Sequence, residues 1–98
     1  MSVTVTIEMV RPHRSTPWFL FDRESHANYF SSLVASNTFS YTQTLSEDEL
    51  TQTRTFVFAD QAAADALFND PVLAPGFAAR ETHNAMYGIS LTRNTVVD

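Results

Sequence analysis

The stretch TFSYTQTLSEDELTQTRTFVFADQAAADALFNDP, residues 38–71, decides the fold. Phe39, Tyr41, Gln43 and Leu45 alternate with Thr38, Ser40, Thr42 and Thr44, the period-two pattern of a strand with one buried face. An acidic turn, Ser46 to Glu49, leads into a second run from Thr51 to Ala59, so the pair reads as an antiparallel hairpin. In that second run Gln52, Arg54, Phe56 and Phe58 share one face while Thr53, Thr55 and Val57 point the other way. Asp60 then caps an alanine-rich helix with Ala63, Ala64, Leu67 and Phe68 as its apolar stripe. Asn69, Asp70 and Pro71 end it, because proline biases the residue before it out of helical geometry.

Working outward toward the amino terminus, Val3, Val5, Ile7 and Met9 alternate with Thr4, Thr6 and Glu8 in a strand that Pro12 stops. Thr16 followed by Pro17 predicts a helix entry, and a helix continuing to about Ala35 gathers Trp18, Phe19, Phe21, Tyr29, Phe30, Leu33 and Val34 on one apolar arc. Asp22 is a competing start. Toward the carboxyl terminus, residues 71–85 read as irregular, with one helical piece after Pro75; whether they form a lid is left open. Tyr87, Ile89 and Leu91 alternate with Gly88, Ser90 and Thr92, which predicts a last strand extending to Val97. The order is βαββαβ, an α+β ferredoxin-like arrangement of one four-stranded antiparallel sheet with helices on one side, filling residues 1–98 as a single domain. One sheet face is rich in Val, Ile, Phe, Tyr and Leu. The other, built from Thr, Ser, Gly and Val57, is too β-branched to be plain surface and too polar to be a core.

The 98 residues carry a formal net charge of -5, and no apolar run approaches the roughly 20 residues that span a bilayer. Nucleic acid and membrane are therefore not expected partners, since both anionic surfaces demand clustered basic residues. With no Cys there is no thiolate nucleophile, disulfide or cysteine metal site. All six basic residues are Arg, so Schiff-base chemistry has no lysine to use. Two glycines cannot build a nucleotide-phosphate loop. The amino terminus reads as a strand and not as a signal peptide, which makes the cytoplasm the expected location.

In layout over nearly its whole length the chain resembles the dimeric α+β barrel superfamily, particularly the antibiotic-biosynthesis-monooxygenase-like and stress-responsive barrel domains. The stretch from Thr55 to Pro71, an aromatic strand followed by a capped helix closed by Asp-Pro, carries most of that resemblance. The resemblance implies a homodimer in which two sheets meet face to face, giving the threonine-rich face its partner. It also implies a range of activities, from cofactor-independent oxygenases and isomerases to haem degradation. Haem-degrading members pair an asparagine on the first strand with a tryptophan on the third and a histidine on the second helix. Here those elements offer Ile7 and Met9, Phe56 and Phe58, and no histidine, so haem degradation is not expected. Monooxygenase members line their pocket with Trp, Tyr and Asn, for which this chain offers Trp18, Tyr41, Tyr87 and Asn84.

Two constellations carry chemistry. Asp22 and His26 stand four residues apart, and on a continuous helix from Pro17 both fall inside the apolar arc; a carboxylate fixing one imidazole nitrogen leaves the other as a general base. The plainer reading is a surface pair, or Asp22 as an N-cap. Arg54 shares its face with Phe56 and Phe58, where a guanidinium fork matches a carboxylate with an apolar cavity behind it. Its plainer reading is a solvated strand end, or a pair with Glu47 or Glu49. The histidines lack metal-ligand spacing, so neither a metal nor a cofactor is expected. The expected function is binding of a hydrophobic small molecule, an apolar acid or aromatic metabolite, between the first helix and the sheet. Trp18, Phe30, Phe39, Tyr41, Phe56, Phe58 and Tyr87 are expected to line the pocket, with Arg54 or His26 as polar anchor. The alternatives are a cofactor-independent monooxygenase or isomerase using Asp22 and His26, and a structural homodimer without a ligand.

Overall fold

The structure, a computed structural model, describes residues 2–19, 24–36 and 39–98, with the backbone alone for residues 24–27. Its elements run β1 (Val3–Val10), α1 (Glu24–Ala35), β2 (Phe39–Leu45), β3 (Thr51–Phe58), α2 (Gln61–Phe68), α3 (Ala74–Tyr87) and β4 (Ser90–Val97). The four strands form one sheet in the order β2-β3-β1-β4, with every neighbouring pair antiparallel. This is a ferredoxin-like α+β fold in which the helical piece expected after Pro75 is a full third helix, α3.

Register turns the period-two pattern into four rows across the helix-covered face. Phe39, Phe58, Val3 and Val97 form the first, and Tyr41, Phe56, Val5 and Thr95 the second. Gln43, Arg54, Ile7 and Arg93 form the third, and Leu45, Gln52, Met9 and Leu91 the fourth. Val3, Val5, Ile7, Met9, Phe56 and Phe58 are all buried, so the two central strands hold the core. Ala64 and Leu67 of α2 and Leu73 press onto it, as do the half-buried Tyr29, Phe30, Leu33 and Val34 of α1. The aromatic rings interlock: Phe56 and Phe58 stack 6.1 Å apart, and Phe68 meets both edge-on.

The cap on α2 is the expected one, with the Asp60 carboxylate accepting the Ala63 amide at 2.8 Å. Two sequence expectations are corrected. The first helix does not begin at Pro17, because residues 17–19 are not helical. The Thr16 carbonyl accepts a hydrogen bond from the Arg11 guanidinium and the Pro17 carbonyl meets His83 Nε2, both at 2.8 Å, so these carbonyls serve tertiary contacts instead of a helical ladder. Residues 71–85 are not mainly irregular and Tyr87 is not in a strand: α3 takes 14 residues and includes Tyr87. Pro75 sits in its first turn, where a missing N–H costs nothing, and Gly88 closes it in the left-handed conformation (φ 70°). The alternation of Tyr87 with Ile89 and Leu91 imitates a strand across that cap.

The far face of the sheet carries Thr4, Thr6, Thr53 and Thr55 half-buried at its centre, with Val57 37% exposed beside them. Ser40, Thr42 and Thr44 on one edge and Thr92, Asn94 and Val96 on the other are exposed. No described helix lies on this side.

Candidate functional site

Toward the third row the helical cover parts from the sheet and leaves a cavity of about 220 Å³. Ile7, Tyr41, Gln43, Arg54 and Phe56 form its floor, Phe30 of α1 one wall, Leu67 and Phe68 of α2 another, and Phe77 and Arg80 of α3 the third. Strand alternation puts Arg54 here, because it stands two residues from Phe56 and therefore on the same face. It sits mid-strand between Ile7 and Gln43, not at a solvated strand end. Glu49 is ion-paired to Arg14, and its carbonyl accepts from Arg11.

Electrostatically this end of the core is cationic. Burial lowers the pKa of Arg54. Burial and the neighbouring Arg54 charge together push Arg80 down to about 10, against the opposing pull of Glu81 and Tyr41. Tyr41 is pushed up by burial, partly offset by the two guanidiniums, and its hydroxyl donates to Gln43 Oε1 at 2.8 Å. Arg80 stands 5.4 Å from the centre of the Phe77 ring, and Arg93 4.0 Å from that of Phe68. Among the described residues, none that lines the cavity is acidic. An apolar chamber edged by guanidiniums, a phenol and an amide is chemically suited to an organic anion with an apolar body.

Of the residues singled out from sequence, Phe30, Tyr41, Arg54 and Phe56 come together around this cavity. Phe39 and Phe58 do not line it; they pack against each other at 5.3 Å in the closed first row. The guanidinium of the buried Arg11 lies 4.6 Å from the centre of the Trp18 ring, and Tyr87 packs on His83 at 4.5 Å in the last turn of α3. Both sit away from the cavity because the chain around each is not in the element the sequence suggests. Asp22 and the side chain of His26 lie outside the described residues. Among the described residues no group of three potential ligands is arranged for a metal ion, and no helix is long and apolar enough to cross a membrane.

Sequence reasoning missed Arg80 and Phe77. The signal was present: Phe77, Arg80 and Asn84 stand at i, i+3 and i+7, one face of a helix, but only if Pro75 and Gly76 are read as a first turn and not as breakers. Asn84 is buried and its amide donates to Met9 Sδ at 3.6 Å.

No protein-family model matches the chain, and no curated protein does. Solved structures do. A crystal structure of SnoaB, described as a cofactor-independent oxygenase from Streptomyces nogalater, superposes with a TM-score of 0.60 at 15% identity, over 99% of this chain and 92% of that one. The shared fold is the ferredoxin-like α+β fold. A dimeric ferredoxin-like protein from an uncultured marine organism superposes with a TM-score of 0.57 at 10% identity, over 99% of this chain and 89% of that one. A dabb family protein with a ferredoxin-like fold from Mesorhizobium loti gives 0.51 at 12%, over 98% and 97%. At these identities the likeness concerns the fold, and chemistry has to come from this chain's own residues.

Proposed function

We propose that this protein binds a hydrophobic small molecule, an apolar or lipid-like acid or an aromatic metabolite, in the cavity between the sheet and its helices. The observation that carries the reading is Arg54: a permanent cation placed by the middle of an aromatic sheet on the floor of an apolar chamber, a geometry suited to meeting the carboxylate of a ligand with an apolar body. Phe30, Tyr41 and Phe56 would hold the body of the ligand, with Phe39 and Phe58 behind them as packing. We further place the protein in the cytoplasm as a homodimer formed through the threonine-rich face. That face is β-branched and continuous, as a sheet-to-sheet contact requires. Native mass spectrometry of the purified protein tests both parts: a dimer carrying an apolar organic acid is the expected result. A monomer would overturn the dimer, and a protein that neither carries nor takes up any of a panel of fatty and aromatic acids would overturn the binding reading.

A second reading is favoured by the SnoaB likeness: a cofactor-independent monooxygenase, or an isomerase, in which His26 oriented by Asp22 removes a proton from a carbonyl-bearing substrate. His26→Ala would then abolish conversion while leaving binding largely intact, whereas an unchanged turnover would exclude this dyad.

A further inference from the structure

We infer that Gln43 is the side chain by which the cavity selects among its ligands, and that the preferred ligand is an acid carrying an acceptor oxygen, an ether, carbonyl or hydroxyl, on the position next to its carboxylate. The inference rests on the binding reading above and goes further by naming a second polar group on the ligand and the residue that meets it. Gln43 stands directly opposite Arg54 in the β2–β3 register, and both line the cavity. Residues paired in this way have Cβ atoms about 5 Å apart and share a face of the sheet. A ligand whose carboxylate meets Arg54 therefore brings the neighbouring atoms of its ring or chain to Gln43.

The Gln43 carboxamide is held by one end and open at the other. Tyr41, two residues earlier and on the same face, donates its hydroxyl to Gln43 Oε1 at 2.8 Å. The phenol is itself fixed, edge-on to Phe30 at 5.2 Å and tilted against Phe56 at 5.0 Å, so the oxygen it holds has a defined position. With that oxygen taken, the carboxamide nitrogen keeps two N–H donors, and no hydrogen bond reaches it among the described residues. Gln43 is exposed on an edge strand, so water serves these donors until a ligand arrives. An acceptor oxygen on the ligand replaces the water bond with a direct one. An apolar group in the same place removes the water and returns nothing. The preference therefore acts on a neutral group and is separate from the attraction of Arg54 for the carboxylate. Gln43 makes the contact, and Tyr41 is its positioning residue.

The test titrates 3-methoxy-2-naphthoate and 3-ethyl-2-naphthoate, equal in charge and closely matched in shape, against the wild type, Gln43→Met and Tyr41→Phe by calorimetry, with melting temperatures measured on each. The wild type is expected to bind the methoxy acid about threefold to tenfold more tightly, the size of one neutral hydrogen bond. Gln43→Met should bind the two acids alike. Tyr41→Phe should keep only part of the preference, because the carboxamide is present but no longer held; a merely structural phenol would weaken both acids by the same factor and leave their ratio unchanged. Equal binding of the two acids by the wild type, or a preference that survives in Gln43→Met, would overturn the role given to Gln43 while the cavity reading stands. If 3-amino-2-naphthoate, which offers a donor at the same place, binds the wild type more tightly than the methoxy acid, the carboxamide presents its oxygen and the acceptor assignment is wrong. Should none of these acids bind the wild type at millimolar concentration, the cavity reading itself fails and this inference falls with it.

Discussion

The two ends of one sheet face are built alike and finished differently. At the Phe58 end, Phe39, Phe58 and Val3 stand side by side, each at most 5% exposed, and Phe68 closes over them. Two rows away, the same strands and the same alternation place Gln43, Arg54 and Ile7, and the helical cover leaves a cavity above them. Backbone geometry is shared; side-chain chemistry is not. A closed end made only of rings and branched aliphatics is packed for stability, while the open end sets the Arg54 and Arg80 guanidiniums against an apolar chamber.

The comparison is broken most severely at the closed end. Phe58→Ala should cost about 3–5 kcal/mol in chemical denaturation, because the ring is fully enclosed and its neighbours cannot collapse into the space. Ile7→Ala, in the open row, should cost only about 2 kcal/mol, since the lost atoms border a cavity that already exists. Equal losses at the two positions would mean that the open end is packed as tightly as the closed one. Gly88→Ala sharpens the contrast: left-handed geometry, not crowding, sets its cost of about 1 kcal/mol, the nearest atom to a new Cβ being Pro12 Cγ at 4.0 Å. Because Gly88 closes the helix that carries Arg80, this change should weaken acid binding; unchanged affinity would mean that the end of α3 does not position Arg80.

The smallest effect belongs to the β2–β3 turn, remote from both ends. Asp48 is held below the usual carboxylate range by hydrogen bonds from Ser46 and the Leu50 amide. A depressed acid contributes stability that is present above its unfolded pKa and is lost as pH falls through the lower folded value. Asp48→Asn should therefore remove a small acid-side slope from a stability curve followed by circular dichroism, and leave ligand binding alone. A large loss at neutral pH would show that the turn carries more than its own geometry.

Much of this was legible in the residues. Period-two alternation correctly assigns the faces of β1, β2 and β3, and puts Arg54 with the aromatics, because a strand offers each side chain only two directions. Register was not legible: nothing in the alternation says that Arg54 stands opposite Ile7 instead of Met9, and that choice places it under the cavity. The third helix showed only as a helical piece after Pro75, because Pro75 and Gly76 act as breakers everywhere except a first turn, and neither its full 14 residues nor the place of Arg80 on it could be read. Trp18 and Tyr87 misled for the same reason in reverse. Their spacing suits a pocket, but the carbonyls of Thr16 and Pro17 are taken by Arg11 and His83, so the chain around Trp18 turns toward those partners.

The central claim, that the open end and not the closed end receives an apolar acid, is tested most directly by proton–nitrogen correlation spectra recorded during titration with 2-naphthoate. The Nε–H signals of Arg54 and Arg80 should move together, along with the amides of Tyr41 and Phe56, while those of Val3, Phe39 and Phe58 stay in place. Shifts confined to the threonine-rich face or to Trp18, with both arginine signals unmoved, would contradict it.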